Sequence, residues 1–228
     1  MDRENSMESA KNNLLDAVLL HVAFDGWSET SLRAGLADSG LTEGLGQALF
    51  SRGGIDLAVA YHQRGDSLMA EALGARDLTA LRIRERINLA VRTRLELADK
   101  ELVRRGAALF ALPQNAAEGA ALIWGSAGAI WTALGDPSQD LNWYTKRATL
   151  SAVYGATALF WLGDQTEGNA ATWDFLDRRI ENVMGFEKTK AGLRANPLAK
   201  ALLRGPLKFL ERVHAPNTPE DLPGQMKG

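Results

Sequence analysis

The stretch from Gly106 to Gly163 constrains this chain more than any other. Its 58 residues carry only five charges (Glu118, Asp136, Asp140, Lys146 and Arg147) and hold four of the six tryptophans. So apolar a segment must leave water, either in a bilayer or in a protein core. Its two uncharged runs, Gly119–Gly135 and Ala148–Gly163, fall short of the roughly 20 apolar residues that a membrane span needs, and Gly, Ser and Thr dilute the first. Between them, Gly135-Asp136-Pro137 supplies a helix-ending glycine, an N-cap candidate and a proline suited to a first helical turn. Two buried helices joined by a tight turn are therefore expected.

The rest of the chain repeats the helical signal. Ala/Leu/Arg/Glu-rich segments dominate, strand-like alternation does not persist, and Gly or Pro clusters mark plausible ends. The fold class is all-α. A helix over about Ser9–Phe24 presents Leu14, Leu15, Val18, Leu19 and Val22 as its apolar face. Short helices follow, one to about Asp38 and one over Thr42–Phe50, with Ser39-Gly40 between them. Helix, short helix, turn, short helix is a helix-turn-helix pattern. Further helices are predicted from near Asp56, from Asp77 as N-cap to about Ala98, and over Lys100–Ala111, Glu118–Leu134, Asp140–Leu162 and Asn169–Phe186. The chain divides into an N-terminal unit (1–55), a helical bundle (56–190), an amphipathic helix (191–214) and a Pro-containing polar tail (215–228) expected to be disordered.

Much chemistry is excluded. There is no cysteine, and His21, His62 and His214 lie far apart. One Glu-x-x-His spacing, Glu211–His214, has no second copy, so no metal site is expected. Phosphate loops, dinucleotide fingerprints and nucleophile elbows are absent. His62 with Asp66 one turn later reads as a surface or capping pair, and the mixed charges of the helix containing Arg82, Arg84, Arg92 and Arg94 read as a solvated face. No catalytic residue and no cofactor is predicted, and the N-terminal residues lack the pattern of a secretory signal, so the cytoplasm is the expected compartment.

Three helices carry candidate binding features. On Glu118–Leu134, Leu122, Ile123, Trp124, Ile130, Trp131 and Leu134 face one side, with Ala121, Gly125, Ser126, Gly128 and Thr132 opposite. Such a helix is buried on both faces, either packed closely on a neighbour or lining a cavity. On the next helix Trp143, Leu150, Tyr154 and Trp161 stack on one face, while Tyr144 sits about 100° from Trp143 and points elsewhere. Arg147 at the edge of that face is expected to pair with a nearby carboxylate such as Asp140. The third is Pro197–Val213, with Leu198, Leu202, Leu203, Leu207, Phe209 and Leu210 on one half and Lys200, Arg204, Lys208 and Arg212 on the other. From Lys188 to Arg212 seven basic residues face one acid, a net +6. This helix either lies in a bilayer surface, its apolar half in the acyl boundary and its cations on phosphates, or docks on its own domain. Gly205-Pro206 in its middle argues against a rigid core element.

The first 52 residues resemble the DNA-binding module of TetR-type regulators, on Gly26-Trp27-x-x-Thr30-Ser31-Leu32-Arg33 and Leu41-Thr42-x-Gly44-Leu45. Yet they hold four basic residues against eight acids, a net −4, and Thr42–Phe50 has no cation, so binding to phosphates is not expected. The helix-turn-helix is therefore read as degenerate.

The run Asp140-Leu141-Asn142-Trp143-Tyr144-Thr145-Lys146-Arg147-Ala148, then Tyr154, then Thr172-Trp173-x-Phe175-Leu176-x-Arg178-Arg179-Ile180, closely resembles the COQ9 family of coenzyme Q biosynthesis, over about Ser9–Val213. The resemblance implies a TetR-like, dimeric, non-catalytic protein that does not bind DNA; the lack of a mitochondrial presequence, a departure from eukaryotic members, suggests the bacterial type. The resemblance implies an isoprenoid lipid or quinone precursor held in the bundle; the apolar faces of the two helices offer Leu122, Trp124, Trp131, Leu150, Tyr154 and Trp161 as candidate contacts. It implies further that Trp143, Tyr144 and Arg147 serve the surface meeting a ubiquinone-biosynthetic hydroxylase. The C-terminal helix would contact the inner face of the cell membrane. The competing class is a TetR-type transcriptional regulator with an apolar ligand.

Overall fold

A computed structural model describes residues 2–195, with side chains over 6–183. Among the described residues the chain forms nine α-helices and no strand. They are α1 Asp2–Asp25, α2 Glu29–Ser39, α3 Glu43–Leu49, α4 Gly54–Gly74, α5 Ile83–Glu96, α6 Lys100–Phe110, α7 Ala116–Ala133, α8 Leu141–Gly163 and α9 Ala170–Ala195. None is long and apolar enough to cross a membrane. The segment 197–213 and the tail 215–228 lie outside the described residues.

Local chemistry sets most boundaries. Ser28 caps α2 by accepting from the Ser31 amide, Thr42 caps α3 through the Leu45 amide, and Asp99 and Asp140 do the same for α6 and α8. Asp77 behaves differently from the sequence expectation. Its carboxylate accepts from both the amide and the hydroxyl of Thr79, which closes a local turn, and α5 begins only at Ile83. A short polar side chain next to a threonine can satisfy backbone donors without a helix, and here that local bond wins. At the true start, Glu85 reaches back to the Arg82 amide at 2.9 Å.

Two cores organise the helices. One gathers Leu14, Leu15, Val18 and Val22 of α1 with Leu32, Leu36, Phe50, Leu57 and Leu102. The other joins Met69 and Leu73 to Ile87, Val91, Ile130, Leu150, Leu176 and Ile180. Helix α4 serves both, its first half in the N-terminal core and its second half in the bundle. The N-terminal core thus reaches beyond residue 55. Trp27 donates to the Leu102 carbonyl at 3.1 Å, and Arg105 to the Ala23 carbonyl at 2.8 Å, tying α6 to the end of α1.

The α1–α2 crossing is close because Gly35 lacks a side chain: a Cβ there would sit 2.8 Å from the Val18 nitrogen. Backbone cannot yield as a flexible side chain can. Gly35→Ala is therefore expected to cost about 1–3 kcal/mol, read as a lower urea midpoint. An unchanged midpoint would show that the crossing relaxes freely.

Candidate functional site

Helices α4 to α8 surround a cavity of about 320 Å³, a size at the lower end of small-molecule sites. The room is made by missing side chains. Gly106 and Ala107 of α6, Gly119 and Ala120 of α7, and Gly155 and Ala158 of α8 all line it. Leu95, Leu122, Ile123 and Leu162 complete an apolar wall, with Trp27 and Phe110 at the N-terminal side. A second cavity, about 540 Å³, lies between α5, the α7–α8 turn, α8 and α9, bounded by Ile87, Trp131, Leu150, Val153 and Ile180.

The six residues expected to line one lipid site are thus distributed. Leu122 and Tyr154 line the first cavity, Trp131 and Leu150 the second. Trp161 is buried in the bundle core with the Lys100 ammonium 5.1 Å from its ring. Trp124 is half-buried and turns toward α8, its ring 6.2 Å from that of Trp143. The small residues that line the first cavity are not the predicted α7 stripe of Ala121, Gly125, Ser126, Gly128 and Thr132: on α7 they are Ala116, Gly119 and Ala120, and the others come from α4, α6 and α8.

Trp124 joins the residues expected at a partner surface. Trp143 and Tyr144 are both half-buried and meet edge to face at 4.8 Å. The Arg147 guanidinium stacks 3.9 Å over Trp143. Arg147 itself is buried, and its carboxylate is Asp136 at 3.6 Å, because Asp140 is occupied at the α8 N-terminus. Lys146 also pairs with Asp136 at 2.6 Å. Burial pushes the Asp136 carboxyl up, but the hydrogen bonds from Lys146 and Ser138 outweigh it and hold the group below its usual range. The α7–α8 turn is therefore an ionic knot beneath an aromatic patch.

The wall of the first cavity holds a polar network in which Arg94 and Ser126 are buried and His62 and Asp66 half-buried. His62 Nε2 lies 2.7 Å from the Ser126 hydroxyl, which lies 2.8 Å from Asp66 Oδ1. Arg94 donates through Nε to the same oxygen at 2.6 Å and through Nη2 to the His62 carbonyl at 2.9 Å. His62 and Asp66 are thus not a surface pair. Nor does Arg94 belong to a solvated face: its residue is 3% exposed, because its position on α5 points between α4 and α8. Sequence reading missed this partnership. The only signals were the His62–Asp66 spacing and a serine in the small stripe. The arrangement lacks the features of a hydrolytic triad, since Asp66 bonds to the serine and sits 3.9 Å from the histidine ring. Among the described residues no group of acids and histidines is placed to hold a metal.

Burial, and then the charge of Arg94, hold the His62 imidazole down at about 4. An unfolded chain binds that proton near pH 6.5. Above that pH both states are neutral at His62, and the residue adds no pH dependence. Between pH 6.5 and 4 only the unfolded chain takes up the proton, so stability falls as pH falls, by about 3 kcal/mol in all. His62→Gln is expected to remove about 2 kcal/mol of the stability difference between pH 7 and pH 5, measured by urea unfolding. The same acid loss in both proteins would place the effect elsewhere.

The helices, their order and their two cores define a TetR-like all-α protein. The structure is similar to that of the TetR transcriptional regulator from Nitrosomonas europaea, with a TM-score of 0.62 and 18% identity, covering 76% of this chain and 97% of the other. Residues 116–187, which include the aromatic patch, all of α7 and α8 and the first part of α9, match the COQ9 family model. The chain is 28% identical over 191 residues to the ubiquinone biosynthesis protein COQ9 of Drosophila melanogaster, covering 81% of this chain and 58% of that protein. It is 26% identical over 209 residues to the Homo sapiens COQ9 protein, covering 88% of this chain and 65% of that one. The chain is similar to these COQ9 proteins and spans about three fifths to two thirds of their length.

Proposed function

We propose that this protein is a non-catalytic accessory protein of ubiquinone biosynthesis that holds a prenylated quinone precursor and presents it to a membrane-associated hydroxylase. The observation that carries the reading is the apolar cavity walled by glycines and alanines in a chain similar to COQ9. Each methylene buried there contributes roughly 0.8 kcal/mol, so a short isoprenoid tail gives firm retention. The protein acts as a homodimer, with the segment 197–213 on the membrane surface. Both the dimer and that contact follow from the resemblance and from the segment's amphipathic composition.

A ligand-responsive regulator is the second reading, favoured by the fold alone. Charge argues against it. The solvent face of α3 consists of Glu43, Gly44, Gln47 and Ala48, without a cation to meet phosphate.

Mass spectrometry of lipids extracted from the purified protein tests the cargo. A prenylated ring compound at near-equal amount to protein is expected, and Ala158→Trp, which fills the cavity, is expected to lose it. Protein that is free of lipid under native spray conditions would refute the reading.

The hydroxylase is proposed to dock on Trp143 and Tyr144, with Arg147 positioning the α8 surface from below. Tyr144→Asp is expected to cost about 1 kcal/mol through its lost contact with Trp143, to leave the protein folded, and to abolish quinone hydroxylation in cells that depend on it. Arg147→Ala is expected to cost about 2–4 kcal/mol, because it removes a buried partner of Asp136. Normal quinone synthesis with Tyr144→Asp would remove the docking claim.

A further inference from the structure

An apolar cavity that only holds a hydrocarbon tail has no use for a charged wall, yet this one has it. Tyr61, His62, Arg94 and Tyr154 all face the first cavity among glycines, alanines and leucines. The guanidinium of Arg94 lies so close over α4 that a Cβ on Gly65 would be 2.6 Å from its Cζ. Burying this group in place has required a missing side chain, a carboxylate partner and a serine.

The network's bonding leaves donors over. Arg94 uses Nε on Asp66 and Nη2 on the His62 carbonyl, and among the described residues Nη1 has no hydrogen bond. Tyr61 accepts the Asp99 amide at its oxygen, 3.0 Å away, so that bond does not use the phenolic proton. Charge is already balanced, since Asp66 neutralises Arg94 and His62 is uncharged at neutral pH. The Trp27 ring lies 5.4 Å from Tyr61 and lines the same cavity, offering an aromatic surface beside the donors.

We propose that this polar wall is a headgroup subsite for a neutral, oxygen-bearing ring, a quinone or phenol. Unused donors suit an oxygen acceptor, and a compensated cation suits a neutral one better than a carboxylate or phosphate. A buried donor that meets no acceptor is costly, which lets the site reject a bare hydrocarbon ring. The proposal rests on the reading that this cavity holds a quinone precursor, and it adds which wall reads the ring and by what chemistry.

Calorimetry with three ten-carbon probes on the full chain tests it: a decyl-substituted 1,4-benzoquinone, decylbenzene and decanoate. The wild type is expected to bind the quinone about tenfold more tightly than decylbenzene and more tightly than decanoate. Tyr61→Phe keeps the ring against Trp27 and removes only the hydroxyl. It is expected to weaken the quinone about three- to tenfold and to leave decylbenzene unchanged. The infrared carbonyl stretch of the bound, isotope-labelled quinone is expected to move up in Tyr61→Phe as the hydrogen bond is lost. The headgroup subsite is overturned by equal affinity for quinone and decylbenzene, by a preference for decanoate, or by an unaltered quinone affinity and stretch in Tyr61→Phe. In those cases binding of the probes still leaves the lipid cavity standing, whereas failure of all three to bind the wild type overturns both.

Discussion

The ion pair between Arg94 and Asp66 organises the bundle. It joins α5 to α4 in a site where Arg94 is almost wholly buried, and Ser126 brings α7 into the same network. A buried pair of this kind contributes little net stability, because desolvation of both ions offsets their attraction. Its effect is geometric. The pair fixes Arg94 against α4 and, through Ser126, α7 against both, and the same helices wall the first cavity. The neutrality of His62 follows from the same pair, since burial and the nearby guanidinium both act against protonation.

The rest of the site is an exercise in omission. Gly106, Gly119 and Gly155 withhold side chains where three helices approach, and the space they leave is apolar apart from the network on one wall. Across α7 the opposite logic holds. Trp124, Trp143 and Tyr144 crowd together above Asp136, Lys146 and Arg147, so that a patch of aromatic surface is set on a rigid ionic base.

In the N-terminal unit the helix geometry and the surface charge rest on different residues. Ser28 and Thr42 cap α2 and α3, and Gly35 lets α2 lie against α1, which maintains a helix-turn-helix geometry. The third helix nevertheless offers the solvent an acid, a glycine, a glutamine and an alanine. Backbone geometry and surface charge depend on different residues, so one can persist while the other changes.

Some of this was legible from residue order alone. The helical class, the helix-turn-helix, the α7–α8 pair around Gly135-Asp136-Pro137 and the COQ9-like run near Trp143 all depend on near neighbours in sequence, through periodicity, caps and local motifs. The division of the predicted lipid residues between two cavities was not legible, nor was the turn of Trp124 toward Trp143. The union of His62, Asp66, Arg94 and Ser126 was hidden for the same reason. Those four residues come from three helices spread over 65 positions, and a side chain's environment in a bundle depends on which neighbouring helix it meets and at what rotation. Periodicity shows that Arg94 lies beside apolar residues; only the packing of α4 and α7 against it decides that its charge is buried, partnered and turned toward a cavity.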